Sequence, residues 1–169
     1  MTAAEVIDLL SLEPHPEEGG FFRETYRAAG SIPGDVLPDH TGPRSVSTAI
    51  YYLLTPETCS AMHRLPGDEV FHFYMGDPVE QLRLYPDGSS ELVVLGTDLA
   101  AGECPQSVVR GGVWQGAVLR PGGAYALLGA TMAPGFDYAD YEHGDRQTLV
   151  TSHPGRADLI AARTPAADG

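Results

Sequence analysis

The chain has 169 residues, 43% of them hydrophobic, with 20 glycines and 14 prolines; the length suits one domain, and the turn-rich composition suits β structure better than a helical bundle or a disordered chain. Twenty-three acidic against ten basic residues leave a net charge of −13, a field that repels phosphate backbones and anionic membrane surfaces and so argues against nucleic acid or membrane as a partner. Every basic residue is Arg and there is no Lys, which excludes Schiff-base lysine chemistry and the Walker-type phosphate loop.

Thr2-Ala3-Ala4-Glu5 reads as a capping box, and Val6, Ile7, Leu9 and Leu10 follow at helical spacing, so a short helix is predicted to end before Pro14. The start has no basic leader and the chain has no long apolar run, which predicts an unprocessed cytoplasmic protein. Gly19 to Arg27 is aromatic and β-prone and carries Arg23 and Glu24, whereas Gly30 to Pro43 is rich in Gly, Pro and Asp and reads as a surface loop. Short β-like runs then recur about every ten residues, the spacing of a sandwich or barrel. They are Val46–Leu54, Ser60–Arg64, Glu69–Met75, Val79–Tyr85, Ser90–Leu95, Gln106–Val109, Val113–Leu119, Ala124–Leu128 and Gln147–Thr151. Asp87-Gly88 is the strongest hairpin signal. The reading is a single all-β domain over residues 1–169, with the barrel from about 14 to 155 and a frayed tail over 161–169. Cys59 and Cys104 lie far apart without CxxC spacing, which indicates small buried residues and no disulfide framework.

His63, Leu65, Glu69 and Gly76 fall on the spacing of a first cupin motif in which Leu65 replaces the second His, and Arg110, Gly112 and Gln115 fall on a second motif in which Gln115 replaces His. Longer strings strengthen the match, among them Pro14-His15-Pro16-Glu17, Gly19 to Tyr26, Ser47 to Leu54, Asp68 to Pro78, Gly112-Val113-Trp114-Gln115 and Ala133 to Asp137. On these residues the chain resembles the cupin-5 family, a bacterial and fungal branch described as domain of unknown function 985. The resemblance implies a double-stranded β-helix, or jelly-roll barrel, with a short N-terminal helix, a ligand-sized interior and a homodimer.

The candidate site is argued from residue types. His63 and Glu69 suit proton transfer on a bound substrate, an imidazole beside a carboxyl group. They also form the best metal-ligand types, with Gln115 a weak third donor, so no cofactor is required and one divalent metal ion is the alternative. Strand alternation places Glu69, Phe71 and Phe73 on one face and Val70, His72 and Tyr74 on the other, unless a bulge re-aims the latter pair. Arg23, Glu24, His72, Tyr74, Trp114, Gln115 and Phe136 are the candidate substrate-binding residues: an inward Arg23 or Glu24, a stacking Trp114, and Phe136 delivered to the barrel mouth by Pro134-Gly135. His15, His40, His143 and His153 carry no ligand spacing and read as surface or loop residues. The leading functional reading is a small-molecule isomerase, epimerase or lyase working through His63 and Glu69. A non-catalytic ligand-binding or storage barrel and a metal-dependent oxygenase or isomerase are the alternatives. The nearly unbroken apolar run Val46–Leu54 predicts a strand buried on both faces, one against the barrel and one against a second subunit or the N-terminal helix.

Overall fold

Thr2 opens the chain as predicted: its hydroxyl accepts the N–H of Glu5, and the Glu5 carboxylate accepts the Thr2 N–H at 2.7 Å. This reciprocal cap starts helix α1, Ala3–Leu10, in a computed structural model that describes residues 1–37 and 39–164. α1 packs Val6, with Leu12 beyond its end, against Leu53, Tyr125 and Leu127.

The remaining chain is mostly strand. β1 (Glu13–Pro14), β2 (Phe21–Arg27), β3 (Ser31–Ile32), β4 (Arg44–Ser45) and β5 (Thr48–Leu54) are followed by β6 (Cys59–Arg64), β7 (Glu69–Gly76) and β8 (Val79–Leu84). Then come β9 (Ser90–Leu95), β10 (Gln106–Val109), β11 (Trp114–Leu119), β12 (Ala126–Met132) and β13 (Glu142–His143). Eleven of them form a six-stranded sheet in the order β1-β2-β5-β12-β7-β10 and a five-stranded sheet in the order β13-β6-β11-β8-β9, while β3 and β4 pair separately, with all these strand pairings antiparallel. From β5 to β13 the chain alternates between the two sheets except at the β8–β9 hairpin, the arrangement that closes a jelly roll. The main core includes Tyr52, Leu54, Phe71, Ala126, Leu128 and Ala130 from the six-stranded sheet and Val79, Leu95, Ala117 and Leu119 from the five-stranded sheet. The predicted hairpin at Asp87-Gly88 joins β8 to β9, with Gly88 at φ +85°.

The predicted strand at Gln147–Thr151 is instead helix α2, Arg146–Ser152. Thr148, Val150 and Thr151 favour strand locally, but Asp145 caps the helix by accepting the Thr148 N–H at 2.8 Å, and Leu149 is buried beneath it. α3 (Ala157–Ala161) follows. Together they cover the outer face of the five-stranded sheet, where Met62, Leu82, Leu84, Leu149 and Ile160 form a separate cluster. The predicted fraying from residue 161 is therefore wrong as far as Thr164: Arg163 is fully buried and binds the carbonyl oxygens of Glu80, Gly116 and Leu159. Residues 165–169 of that tail lie outside the described residues. No helix among the described residues is long and apolar enough to cross a membrane.

Candidate functional site

Between the sheets lies a cavity of about 70 Å³, lined by His15, Glu18, Phe22, Glu24, Leu65, Glu69, Phe136 and neighbouring residues. Glu69 opens β7 and faces Met132 across β12 and Val109 across β10, so the strand pleat turns its carboxyl group inward with Phe71. Only 7% exposed, it accepts a hydrogen bond on Oε2 from Gln115 Nε2 at 2.7 Å. Among the described residues nothing bonds its other oxygen. Burial pushes the Glu69 carboxyl up to about 8; the nearby Glu18 carboxylate adds to the rise and the Gln115 hydrogen bond opposes it.

Gln115 is fixed at both ends of its amide. Its Oε1 accepts from Gln81 Nε2 at 3.3 Å, and Gln81 Oε1 in turn accepts from Arg83 at 2.9 Å. The cross-strand neighbour of Gln115 is His63 on β6. His63 is 1% exposed, its Nδ1 donates to the Ala61 carbonyl oxygen at 2.7 Å, and its ring stacks on Tyr141 at 5.0 Å. The Tyr141 hydroxyl is buried without a partner among the described residues. His63 and Gln115 stand behind the cavity wall, and Glu69 stands in it.

The predicted substrate-binding residues divide. Glu24 and Phe136 line the cavity with Phe22 and Arg27, and Glu24 holds Arg27 at 2.7 Å. Phe136 is placed at the mouth by the turn after β12, its N–H donating to Thr48 Oγ1 at 2.9 Å. Arg23, next to Glu24 on β2, points to the outer face and lies over the Tyr51 ring at 5.7 Å. His72 and Tyr74 are also outside: their rings stack at 6.4 Å, and a bulge at Tyr74 leaves it 50% exposed. Trp114 faces away from the cavity, packs on the cluster under α2 and α3, and carries the Arg64 guanidinium over its ring at 4.6 Å. For all four the pleat decides, since each alternates with a neighbour that takes the inner face.

His15 is the residue that sequence reasoning misplaced. It is 9% exposed and lines the cavity, its ring packed on Phe22 at 4.5 Å. Its Nδ1 accepts the backbone N–H groups of Glu17 and Glu18 at 3.3 and 2.9 Å, which leaves the hydrogen on Nε2. Burial lowers its pKa, with opposing contributions from Glu18 and Glu17. Glu18 lines the same wall and accepts a short hydrogen bond from Ser60. The available signal was the clustering of His15, Glu17 and Glu18 just before Gly19-Gly20 and an inward-facing strand. His153 is likewise buried, with Nε2 at 3.2 Å from the Tyr85 carbonyl oxygen, and the side chain of His40 is buried beside Asp140. His143 is exposed as expected and pairs with Glu17 at 3.0 Å.

A family model described as the cupin superfamily, DUF985, matches residues 4–144. An uncharacterized protein of Saccharomyces cerevisiae is 31% identical over 134 residues, 73% of this chain; the match spans 66% of the yeast protein's length, just under two thirds. A hypothetical protein from Leishmania major superposes with a TM-score of 0.86 at 30% identity, covering 97% of this chain and 99% of that one. A protein from Shewanella oneidensis gives 0.85 at 32%, covering 98% of each. Oxalate decarboxylase from Bacillus subtilis, at 12% identity and a TM-score of 0.55 over 94% of this chain and 38% of its own, shares the fold. That enzyme has Mn(II) centres. The residues here do not fit such an ion: no group of three or more His, Cys, Asp or Glu side chains placed to hold one occurs among the described residues. Leu65 lines the cavity where the motif would place a second imidazole, and the Gln115 carbonyl oxygen is already engaged by Gln81. Of the predicted set His63, Glu69 and Gln115, the last two are joined by a hydrogen bond, while His63 is bonded to the Ala61 carbonyl oxygen.

Proposed function

The chain belongs to the cupin-5 family of the cupin superfamily, DUF985, and from that membership we propose that its barrel binds a small polar molecule and moves a proton on it, with Glu69 as the group that exchanges the proton. One observation carries the reading. A carboxyl group more than nine-tenths buried stands in a cavity wall with one oxygen fixed by an amide and the other free to meet a ligand. A carboxylic acid kept neutral by burial is a hydrogen-bond donor and a proton source near neutral pH.

Gln115 is the positioning residue. His63, nominated from the sequence as base, supports this array from the neighbouring strand, its Nε2 without a partner among the described residues and its ring held by Tyr141. Isomerisation, epimerisation or elimination would each use such a group, and each needs a second residue to take the proton. The position of His63 behind the wall favours one alternative, a barrel that binds its ligand without turning it over.

Native mass spectrometry of freshly purified protein identifies a co-purifying ligand, and solvent-deuterium incorporation into that ligand separates the two readings. Incorporation lost in Glu69→Gln with the ligand still bound supports proton transfer. A retained ligand that never takes up deuterium supports storage.

A further inference from the structure

The cavity wall holds two uncharged hydrogen-bond donors and one carboxylate clear of any guanidinium. His15 presents Nε2–H, because both lone-pair contacts of its Nδ1 are backbone N–H groups, and Nε2 has no partner among the described residues. Phe22 at 4.5 Å and the edge of Tyr52 at 6.3 Å fix the ring plane. Glu69, the second donor, has a free oxygen at the same wall. Of the other two carboxyl groups lining the cavity, Glu24 is bound twice to Arg27, whereas Glu18 is held by the Ser60 hydroxyl.

We propose that His15 and Glu69 together bind one carbonyl oxygen, that Glu18 is the base, and that the substrate is a small carbonyl compound with a C–H bond beside the carbonyl. This rests on the proton-transfer reading above and adds its substrate class and its base. Two neutral donors converging on one oxygen favour an acceptor, and favour it more strongly as negative charge grows on it. A neutral imidazole does this without handing over its own proton, and burial keeps His15 in that form. The cavity, about 70 Å³, admits a molecule of a few heavy atoms, given that a water takes about 30 Å³.

The step is balanced without a co-reactant. The Glu18 carboxylate takes the proton from the carbon beside the carbonyl. The C–H electron pair becomes the new C=C bond, and the C=O π pair moves onto oxygen. That oxygen rests between His15 Nε2–H and the Glu69 hydroxyl, or takes the Glu69 proton to give the enol. Return of the Glu18 proton to the same carbon, with the enol proton going back to Glu69, completes a round of exchange; where that carbon bears a hydroxyl, return of the proton to the former carbonyl carbon, as the hydroxyl proton passes to Glu69, completes an isomerisation.

Hydroxyacetone is the probe: the intact protein is incubated with it in D₂O, binding is followed by saturation-transfer NMR, and exchange of the methylene protons by ¹H NMR. The wild type is expected to bind it and speed exchange at least about a hundredfold over buffer, and exchange is expected to fall to the buffer rate in Glu18→Ala and in His15→Phe. Thermal melts establish that both variants are folded, and added formate is expected to restore exchange to Glu18→Ala alone, a rescue that a purely structural role for Glu18 would not give. Binding without exchange, or exchange that survives loss of Glu18 or His15, overturns this assignment while leaving the Glu69 reading in place. Exchange that survives Glu69→Gln overturns instead the reading on which it rests. Absence of binding overturns the substrate class.

Discussion

Gln115 donates from Nε2 to Glu69 Oε2 at 2.7 Å, and it is the only hydrogen bond among the described residues that favours the ionised form of this buried carboxyl group. Burial outweighs it. The folded protein therefore keeps a proton on Glu69 from its ordinary value of 4.5 up to about 8, a range in which the unfolded chain has already released it. The folded state binds the extra proton, so this group's contribution is fully present below about pH 4.5 and is lost as pH rises through about 8. The size is on the order of a few kcal/mol. Urea unfolding at pH 5, 7 and 9 is expected to show stability falling with pH in the wild type and a flatter profile in Glu69→Gln; parallel profiles would show that Glu69 ionises normally. Glu18 and Tyr141 lie close enough to interact with this carboxyl group, so the variant comparison isolates Glu69 from them.

Gly20 holds the turn that brings His15 and Glu18 to the wall. It lies at φ +70°, and a Cβ there would stand 2.8 Å from the Leu53 carbonyl oxygen. Gly20→Ala is expected to cost about 1–3 kcal/mol through backbone strain and to weaken ligand binding. Chemical denaturation and the hydroxyacetone titration test both effects, and an unchanged midpoint would contradict the strained turn.

Arg163 satisfies three backbone carbonyl groups from inside the protein, and its own carbonyl oxygen accepts the Met62 N–H at 2.7 Å. Arg163→Met keeps an unbranched apolar stem and removes the donors. A loss of about 3 kcal/mol in urea-derived stability is expected from the stranded carbonyl groups. A change under about 0.5 kcal/mol would mean that water replaces the guanidinium at no cost.

The homodimer anticipated from Val46–Leu54 now rests on different residues. β5 is buried on both faces within one chain, with Tyr52 and Leu54 in the barrel and Leu53 under α1. An apolar groove of about 530 Å³ remains beside the helix, lined by Leu10, Tyr51, Tyr74 and Met75, with Met1 and Leu9 each 71% exposed at its rim. Knob and groove on one surface suit a two-fold pairing with a second copy. Light scattering at micromolar concentration is expected to give twice the 18.0 kDa chain mass and to fall toward it in Leu9→Asp; a wild type that stays at the chain mass on concentrating refutes the pairing.

The longer strands were legible because each joins a β-prone run to a turn signal, whereas the two-residue strands β1, β3, β4 and β13 were not, β3 lying within the stretch read as a loop; the inward set Glu69, Phe71 and Phe73 followed from the pleat alone. α2 was not, since its β-branched residues argue for strand and only the Asp145 cap and the tertiary burial of Leu149 decide otherwise. In the site, Glu69 and its neighbour Gln115 were visible in the motif spacing. His15 was not, because it lies on a loop, where no periodicity reports burial. Its place depends on a turn at Gly19 and Gly20 and on contacts with Phe22 and Tyr52, and the one local hint, the cluster of His15, Glu17 and Glu18 before that turn, does not report burial.

The cover over the outer face of the five-stranded sheet has a consequence for how the protein is made. Residues 146–163 leave the ribosome after every strand, yet they bury Met62, Leu82 and Leu84. During synthesis the strands can pair before their outer face is shielded, and for that interval the nascent chain displays a sticky apolar sheet. A polypeptide stopped after β13 would retain β1 to β13 and remain in that state, so loss of α2 and α3 is expected to appear in a cell as aggregation or degradation before any defect in the barrel itself.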